Sequence, residues 1–350
     1  MTFSERILVW YDKNKRTLPW RGTRDPYKIW LSEIMLQQTR VVQGTPYYLK
    51  FIGNYPKVHD LANASEEEVL KLWQGLGYYS RARNLHATAK MVVGEYGGDF
   101  PDTYKELLKL KGVGDYTASA ISSICFDRPE PVVDGNVYRV LARYFGVDLA
   151  INSTEGVKYF KKLAREVMNA ENIRDYNQGI MEFGAIQCSP KKPNCDECPL
   201  NKSCVALQTN KVGELPVKLK KTKVRDRYFN YVVFMSEDNK MMLEQRKGKG
   251  IWQNLWQFPL IESEESLIKE SFTRQLNSFD YQPEIVSVDK FNTDAIIHKL
   301  SHQHLYTTFW IVHTKGSQQD GGVSFEDVEK YPVPVLIADF LERFKKTYFQ

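Results

Sequence analysis

From Phe3 to about Cys204, apolar residues recur at helical intervals. Leu61 to Leu72 reads LANASEEEVLKL, with Ser65 placed as a cap and three acidic residues in the turn that follows. Asn84 to Val93, Tyr104 to Leu110, Tyr116 to Cys125, Val137 to Phe145 and Val157 to Met168 carry the same period and predict amphipathic helices. Tyr27 to Thr39 departs from that pattern, because its helix is almost continuously apolar. After Arg227 the texture changes. Tyr228 to Met235, Met241 to Gln245 and Leu305 to His313 are rich in β-branched and aromatic residues and predict strands, with helical patterns returning at Glu264 to Leu276 and Ile337 to Lys346. The chain therefore reads as multidomain. An all-α domain fills residues 1–210, a basic linker 211–227, and an α+β domain 228–350.

At 350 residues, 42% of them hydrophobic, there is material for two cores. No run of eighteen apolar residues exists, so no membrane span is expected. The N-terminus lacks the basic-then-apolar signature of a secretory signal, which predicts a cytoplasmic protein. The formal net charge is +5, and the stretch Lys211 to Arg227 accounts for it, with seven Lys/Arg against Glu214 and Asp226. Such a stretch is either a solvated tether or a linker lying along a phosphate backbone.

Four of the five cysteines, Cys188, Cys195, Cys198 and Cys204, fall in Cys-x6-Cys-x2-Cys-x5-Cys spacing. In a reducing compartment this density points to a metal centre. Structural zinc sites bring together two tight knuckles, and here only one tight pair exists. The wide flanking gaps suit a loop wrapped around a larger iron–sulfur cluster. Zinc and a disulfide pair remain the alternatives.

Three further stretches carry chemistry. Leu110-Lys111-Gly112-Val113-Gly114-Asp115-Tyr116 joins two helical patterns through Gly-x-Gly. This is either a plain tight turn or a hairpin whose exposed N–H groups, at the start of a helix, meet a DNA phosphate. In Val132-Val133-Asp134-Gly135-Asn136-Val137, Asp134 precedes a helix. It can cap that helix while backbone donors keep it ionised to face a sugar cation. Glu33 lies inside the apolar Tyr27–Thr39 helix, either paired with an arginine at a helix surface or holding a raised pKa that lets it donate a proton. One protonating and one ionised carboxyl are what cleavage of a glycosidic bond requires.

Taken with Leu18-Pro19-Trp20-Arg21, Trp30 to Thr39 and Gly75-Leu76-Gly77-Tyr78-Tyr79-Ser80-Arg81-Ala82-Arg83-Asn84-Leu85, these motifs make the chain resemble the MutY-type adenine DNA glycosylases of the helix–hairpin–helix superfamily along nearly its whole length. The resemblance implies a monomeric enzyme of base excision repair that removes adenine opposite 8-oxoguanine or guanine in double-stranded DNA, with a structural [4Fe-4S] cluster on the four cysteines. It implies that Glu33 protonates the flipped adenine and that Asp134 stabilises or transiently bonds the anomeric carbon, the two being supported by Tyr116 and Asn136. Arg21 and Gln178 would line the adenine pocket, Gln38 and Tyr78 would form the wedge entering the stack, and Gly112 and Gly114 would carry the phosphate-binding hairpin.

Endonuclease III has the same cysteine spacing, but its lysine nucleophile is replaced here by Tyr116, and Tyr138 stands where some relatives carry another lysine. A Schiff base needs an amine, so the resemblance implies no efficient lyase activity. The second domain resembles the family's Nudix-like oxidised-guanine reader through Gly250-Ile251-Trp252-Gln253-Asn254-Leu255-Trp256-Gln257-Phe258-Pro259, without the acidic metal helix of true Nudix hydrolases. The family's Phe-Ser-His loop reads Leu300-Ser301-His302, which leaves Ser301 and His302 as contacts to the opposite base but replaces the aromatic one. Two other functions compete: a thymine glycosylase acting on T·G mismatches, and a lesion-binding protein that cuts nothing.

Overall fold

The near-continuous apolar run before Thr39 folds as a helix buried from Ile29 to Met35. Its start is set by Asp25, whose side chain accepts from the Tyr27 N–H, and by Pro26 in the first turn. The computed structural model describes residues 1–219, 224–281, 283–317 and 322–348; residues 220–223 of the basic linker lie outside them. As far as Glu182 the helices, in chain order, are α1 (Phe3–Asn14), α2 (Pro26–Leu36), α3 (Val41–Asn54), α4 (Val58–Asn63), α5 (Glu66–Trp73), α6 (Ser80–Tyr96), α7 (Tyr104–Leu107), α8 (Asp115–Phe126), α9 (Gly135–Phe145), α10 (Thr154–Val167) and α11 (Ile173–Glu182). A π-turn, Phe183–Gln187, leads from α11 into the cysteine loop. The single pattern read from Leu61 to Leu72 is in fact two helices, because Ser65 accepts from the Glu68 N–H and starts a new one.

Contacts divide the chain into two units. One comprises residues 1–64 and 84–220, and the other residues 65–83 and 221–350. In the first, α2, α8 and α11 pack together, and α1 and α9 pack against α11. Every element bearing a carboxylate of interest is thus held by at least one other helix.

The second unit is built on two long parallel strands, β1 (Arg225–Met235) and β8 (Gln303–Thr314), paired from Arg225↔Gln303 to Met235↔His313. Shorter strands extend the sheet: β2 (Lys240–Met242), β5 (Leu260–Ser263), β6 (Ile285–Lys290), β7 (Ile296–Lys299) and β9 (Gly322–Ser324). A separate pair is formed by β3 (Glu244–Gln245) and β4 (Trp256–Gln257). One face of the sheet is closed by Phe272, stacked on Trp310 at 4.3 Å, and the other by Phe340, stacked on Phe309 at 4.0 Å. The pattern from Glu264 becomes helical only at Lys269. Strands β7 and β8 form a hairpin closed by Leu300 N–H donating to Gln303 O at 2.8 Å, which leaves Ser301 and His302 as its two tip residues.

Candidate active site

Seven of the sequence candidates line one cavity of about 430 Å³ in the first unit: Arg21, Glu33, Gln38, Tyr116, Asp134, Asn136 and Gln178. Helix α2 brings Glu33 and its end brings Gln38; α8 brings Tyr116 and α11 brings Gln178. Asp134 and Asn136 come from the start of α9.

Glu33 is 8% exposed. Burial raises its pKa to about 7, against a hydrogen bond from Tyr116 that lowers it; the nearby Asp134 charge pushes it further up. A carboxylic acid with that pKa carries its proton near neutral pH. Burial, and then the charges of Glu33 and Asp134, hold Tyr116 well above the ordinary phenol value, so it stays protonated. Its hydroxyl also lies 3.1 Å from Met181 Sδ.

Asp134 caps α9. Its Oδ1 accepts from the backbone N–H of Asn136 at 2.9 Å and of Val137 at 2.8 Å, while Oδ2 accepts from Asn136 Nδ2 at 2.7 Å. The donors expected from the sequence are present. Burial nevertheless outweighs them in direction, and the Asp134 pKa is raised from its ordinary value. Desolvation acts on the whole carboxylate, and each donor cancels only part of that penalty.

Glu182, Arg16, Tyr11, Arg139 and Gly184 also contribute, and the sequence candidates did not include them. Glu182, one helical turn beyond Gln178, is almost fully buried and pairs with Arg16 (Nε–Oε1 2.5 Å) and Arg21 (Nη2–Oε2 2.9 Å). Burial pushes Glu182 up, but these two guanidinium groups win and hold it below the usual carboxylate value. Arg21 in turn donates to Tyr11 Oη at 2.6 Å, and Tyr11 to Gln178 Oε1 at 3.4 Å. Arg139 links Asn136 Oδ1 (2.8 Å) to the Cys188 carbonyl (2.7 Å). Gly184 completes the join, since a Cβ there would stand 2.7 Å from Asn136 Cβ. The spacing Asp134, Arg139, Arg143 on one helix was the available hint.

Cys188, Cys195, Cys198 and Cys204 line a second, small cavity together with Arg143. All four are free thiols, so the disulfide alternative is not realised. Arg143 Nη1 lies 3.4 Å from Cys188 Sγ and also donates to Ser189 O at 2.8 Å. Burial first, and then the neighbouring cysteines, push the Cys198 thiol up to about 11 against a backbone N–H from Leu200. Among the described residues no three His, Cys, Asp or Glu side chains are arranged to hold a single metal ion.

The remaining candidates lie elsewhere. In the hairpin, Gly112 takes φ +75°, and a Cβ there would meet Asn84 Cβ at 2.9 Å. Gly114 caps α8 in extended backbone, with nothing within 4 Å of the Cβ position. Tyr78, Ser301 and His302 belong to the second unit and are exposed. Ser301 Oγ and His302 Nδ1 are 3.4 Å apart. Gln38 and Tyr78 share one feature: both have left-handed backbone, φ +57° and +48°, which is strained for such side chains.

Residues 31–166 match the HhH-GPD superfamily base excision DNA repair proteins, and residues 230–343 match the NUDIX domain. The chain is 35% identical over 319 residues to the adenine DNA glycosylase of Buchnera aphidicola subsp. Baizongia pistaciae, covering 90% of this chain and 87% of that one. Against the same enzyme of Buchnera aphidicola subsp. Acyrthosiphon pisum it is 32% identical over 356 residues, 99% of both chains. Among solved structures it resembles a thermostable thymine-DNA glycosylase (35% identity, TM-score 0.55, 59% of this chain and 95% of that one). A non-covalent endonuclease III–DNA complex shares the fold at 22% identity and TM-score 0.52, over 59% of this chain and 94% of the other.

Proposed function

The chain belongs to the adenine DNA glycosylase family of base excision repair, and from that premise we propose that it removes adenine opposite 8-oxoguanine or guanine and leaves the abasic strand uncut. The observation that carries this reading is the carboxyl pair: Glu33, with a pKa of about 7, shares one cavity with a donor-bound Asp134. Glu33 gives its proton to the departing adenine as the glycosidic bond breaks, and the bonding pair leaves with the base. The Asp134 carboxylate faces the resulting oxocarbenium-like sugar. Water then adds to the anomeric carbon and returns a proton to Glu33. Tyr116 holds Glu33, and Asn136 holds Asp134. Arg21 and Gln178 shape the pocket for the base, while Gln38 and Tyr78 fill the stack it leaves.

DNA phosphate meets the backbone of the hairpin at Gly112 and Gly114, the second of which opens on clear space. Ser301 and His302 read the opposite base. The family is of the iron–sulfur glycosylase type, and the four cysteines here hold a [4Fe-4S] cluster. Four free thiols around one cavity fit a cluster held by four thiolates. When bound, that cluster cross-links the loop and takes no part in the bond cleavage. No described helix is long and apolar enough to cross a membrane. We place the enzyme in the cytoplasm as a monomer on DNA.

One assay tests the reading. Duplexes carrying A opposite 8-oxoguanine, A opposite guanine, T opposite guanine and thymine glycol are incubated with the enzyme, with and without alkali. Strand breaks at A, only after alkali, are expected. Excision at T·G instead would favour the thymine glycosylase reading that the 35% identical structure raises. Borohydride trapping of an efficient covalent adduct would overturn the claim of no lyase step.

A further inference from the structure

The segment 65–83 carries Tyr78, and by contacts it belongs to the same unit as the Nudix-like residues. Tyr78 is 49% exposed and held at φ +48° between Gly75 (φ +94°) and Gly77 (φ +77°) on one side and α6 on the other. Left-handed backbone for a bulky aromatic persists only where its surroundings over-determine it. Here Trp73 Nε1 donates to Gly77 O at 3.0 Å, and the buried Arg81 donates to the same carbonyl at 3.1 Å.

That brace is itself tied down. Asn254 Nδ2 donates to Glu66 Oε1 at 2.5 Å, and Trp256 Nε1 donates to Glu67 Oε1 at 2.6 Å, both at the first turn of α5. At the other end of the segment, Arg83 Nη1 donates to Gln253 O at 2.9 Å. The receiving loop is strained in the same way: Trp252 and Asn254 have φ +59° and +66°. It is pinned by Asn254 N–H donating to Arg246 O at 2.7 Å and by Arg246 N–H donating to Leu255 O at 2.9 Å. The strained loop is therefore tied to the two helices that flank the Tyr78 turn, α5 and α6, through charge-assisted hydrogen bonds, the stronger kind.

We propose that Asn254 and Trp256, through Glu66 and Glu67, form a latch by which the Nudix-like unit positions the Tyr78 wedge, so that the unit holding the Ser301–His302 tip also holds the residue that enters the stack. This rests on the reading of Tyr78 as a wedge. Asn254, Trp256, Glu66 and Glu67 are positioning residues, and none lines the Glu33–Asp134 cavity.

The test uses the full chain and a duplex with 2-aminopurine in place of adenine opposite 8-oxoguanine, whose fluorescence reports extrusion from the stack. Glu66→Ala/Glu67→Ala and Asn254→Ala/Trp256→Phe should each lower extrusion by about fivefold, and combining them should cost little more than either alone. Glu66→Gln/Glu67→Gln keeps both acceptor oxygens and should retain most of the signal, a rescue that loss of folding would not show. Should the alanine pair melt early, Trp256→Phe, which removes the N–H donor and keeps an aromatic ring, carries the test. Tyr78→Ala runs beside them. If it abolishes extrusion while the latch variants behave as wild type, or if the paired losses simply add, the latch is overturned and the wedge stands. Wild-type extrusion by Tyr78→Ala overturns both.

Discussion

Glu33 and Asp134 sit in a cavity walled by α2, α8, α9 and α11, whereas Ser301 and His302 sit exposed at a hairpin tip. Buried carboxyls have their charge state dictated by surroundings, since desolvation and fixed donors act on them at full strength. At the tip, each hydrogen bond to a ligand only replaces one to water. The first region is built for large effects on rate and the second for small effects on choice. Substitutions should therefore divide the molecule by size of effect as well as by location.

The largest effect is expected inside the cavity. Glu33→Gln keeps the size and polarity of the side chain but removes the transferable proton. Single-turnover excision of adenine should fall between roughly a hundredfold and ten-thousandfold. Asp134→Asn should do likewise, while both bind substrate DNA nearly as well as wild type, because phosphate contacts dominate affinity. Rates within tenfold of wild type would break the comparison at its root.

The pH dependence sharpens the same point. With Glu33 titrating at about 7, wild-type excision should decline as pH rises through that value. The folded-state pKa is raised above the unfolded one. The stabilising contribution is therefore full below about 4.5 and lost as pH rises through about 7. At pH 8 the buried charge costs on the order of 3 kcal/mol. Glu33→Gln removes that cost, so it should melt higher than wild type at pH 8 and close to wild type at pH 5. Equal melting temperatures at both pH values would mean that Glu33 is not desolvated.

An intermediate effect is expected at the cysteine loop. Arg139 and Arg143 tie this loop to α9, whose first turn presents Asp134. Cys198→Ser should lower bound iron and weaken DNA binding by about tenfold, a loss of one to two phosphate-scale contacts. The chemical step in molecules that do bind should change much less. Elemental analysis of the wild type decides the premise: zinc without iron would replace the cluster reading.

The difference between the regions also governs what the sequence could reveal. Glu33 stood out because a carboxylate in an apolar helix breaks the pattern, and Asp134 because it precedes a helix start. Glu182 did not, since its partners Arg16 and Arg21 come from far along the chain. The sign at Asp134 was also out of reach, because the number of donors is legible in a cap but the depth of burial is a property of the assembled cavity. Periodicity likewise shows which face of α5 is apolar without showing what covers it, so its place beside the Nudix-like residues was hidden. Short strands such as β6 and β7 were missed because sheet pairing, more than local residue preference, makes them strands.

The smallest effect is expected at the hairpin tip. The lesion differs from guanine by an oxo group and a ring N–H, and Ser301 Oγ can accept from or donate to that edge. One such hydrogen bond at an exposed site is worth about 1 kcal/mol, or roughly fivefold. Ser301→Ala should therefore reduce the preference for 8-oxoguanine over guanine by about that factor, leaving excision opposite guanine unchanged. Adding His302→Ala should reduce it further, because Leu300 offers no polar group to compensate. The ratio of single-turnover rates on the two duplexes is the quantity to measure, since a general loss of activity cancels from it. A double variant with the wild-type ratio would move lesion recognition away from the tip and towards the cavity side, and the division of labour between the two regions would fail.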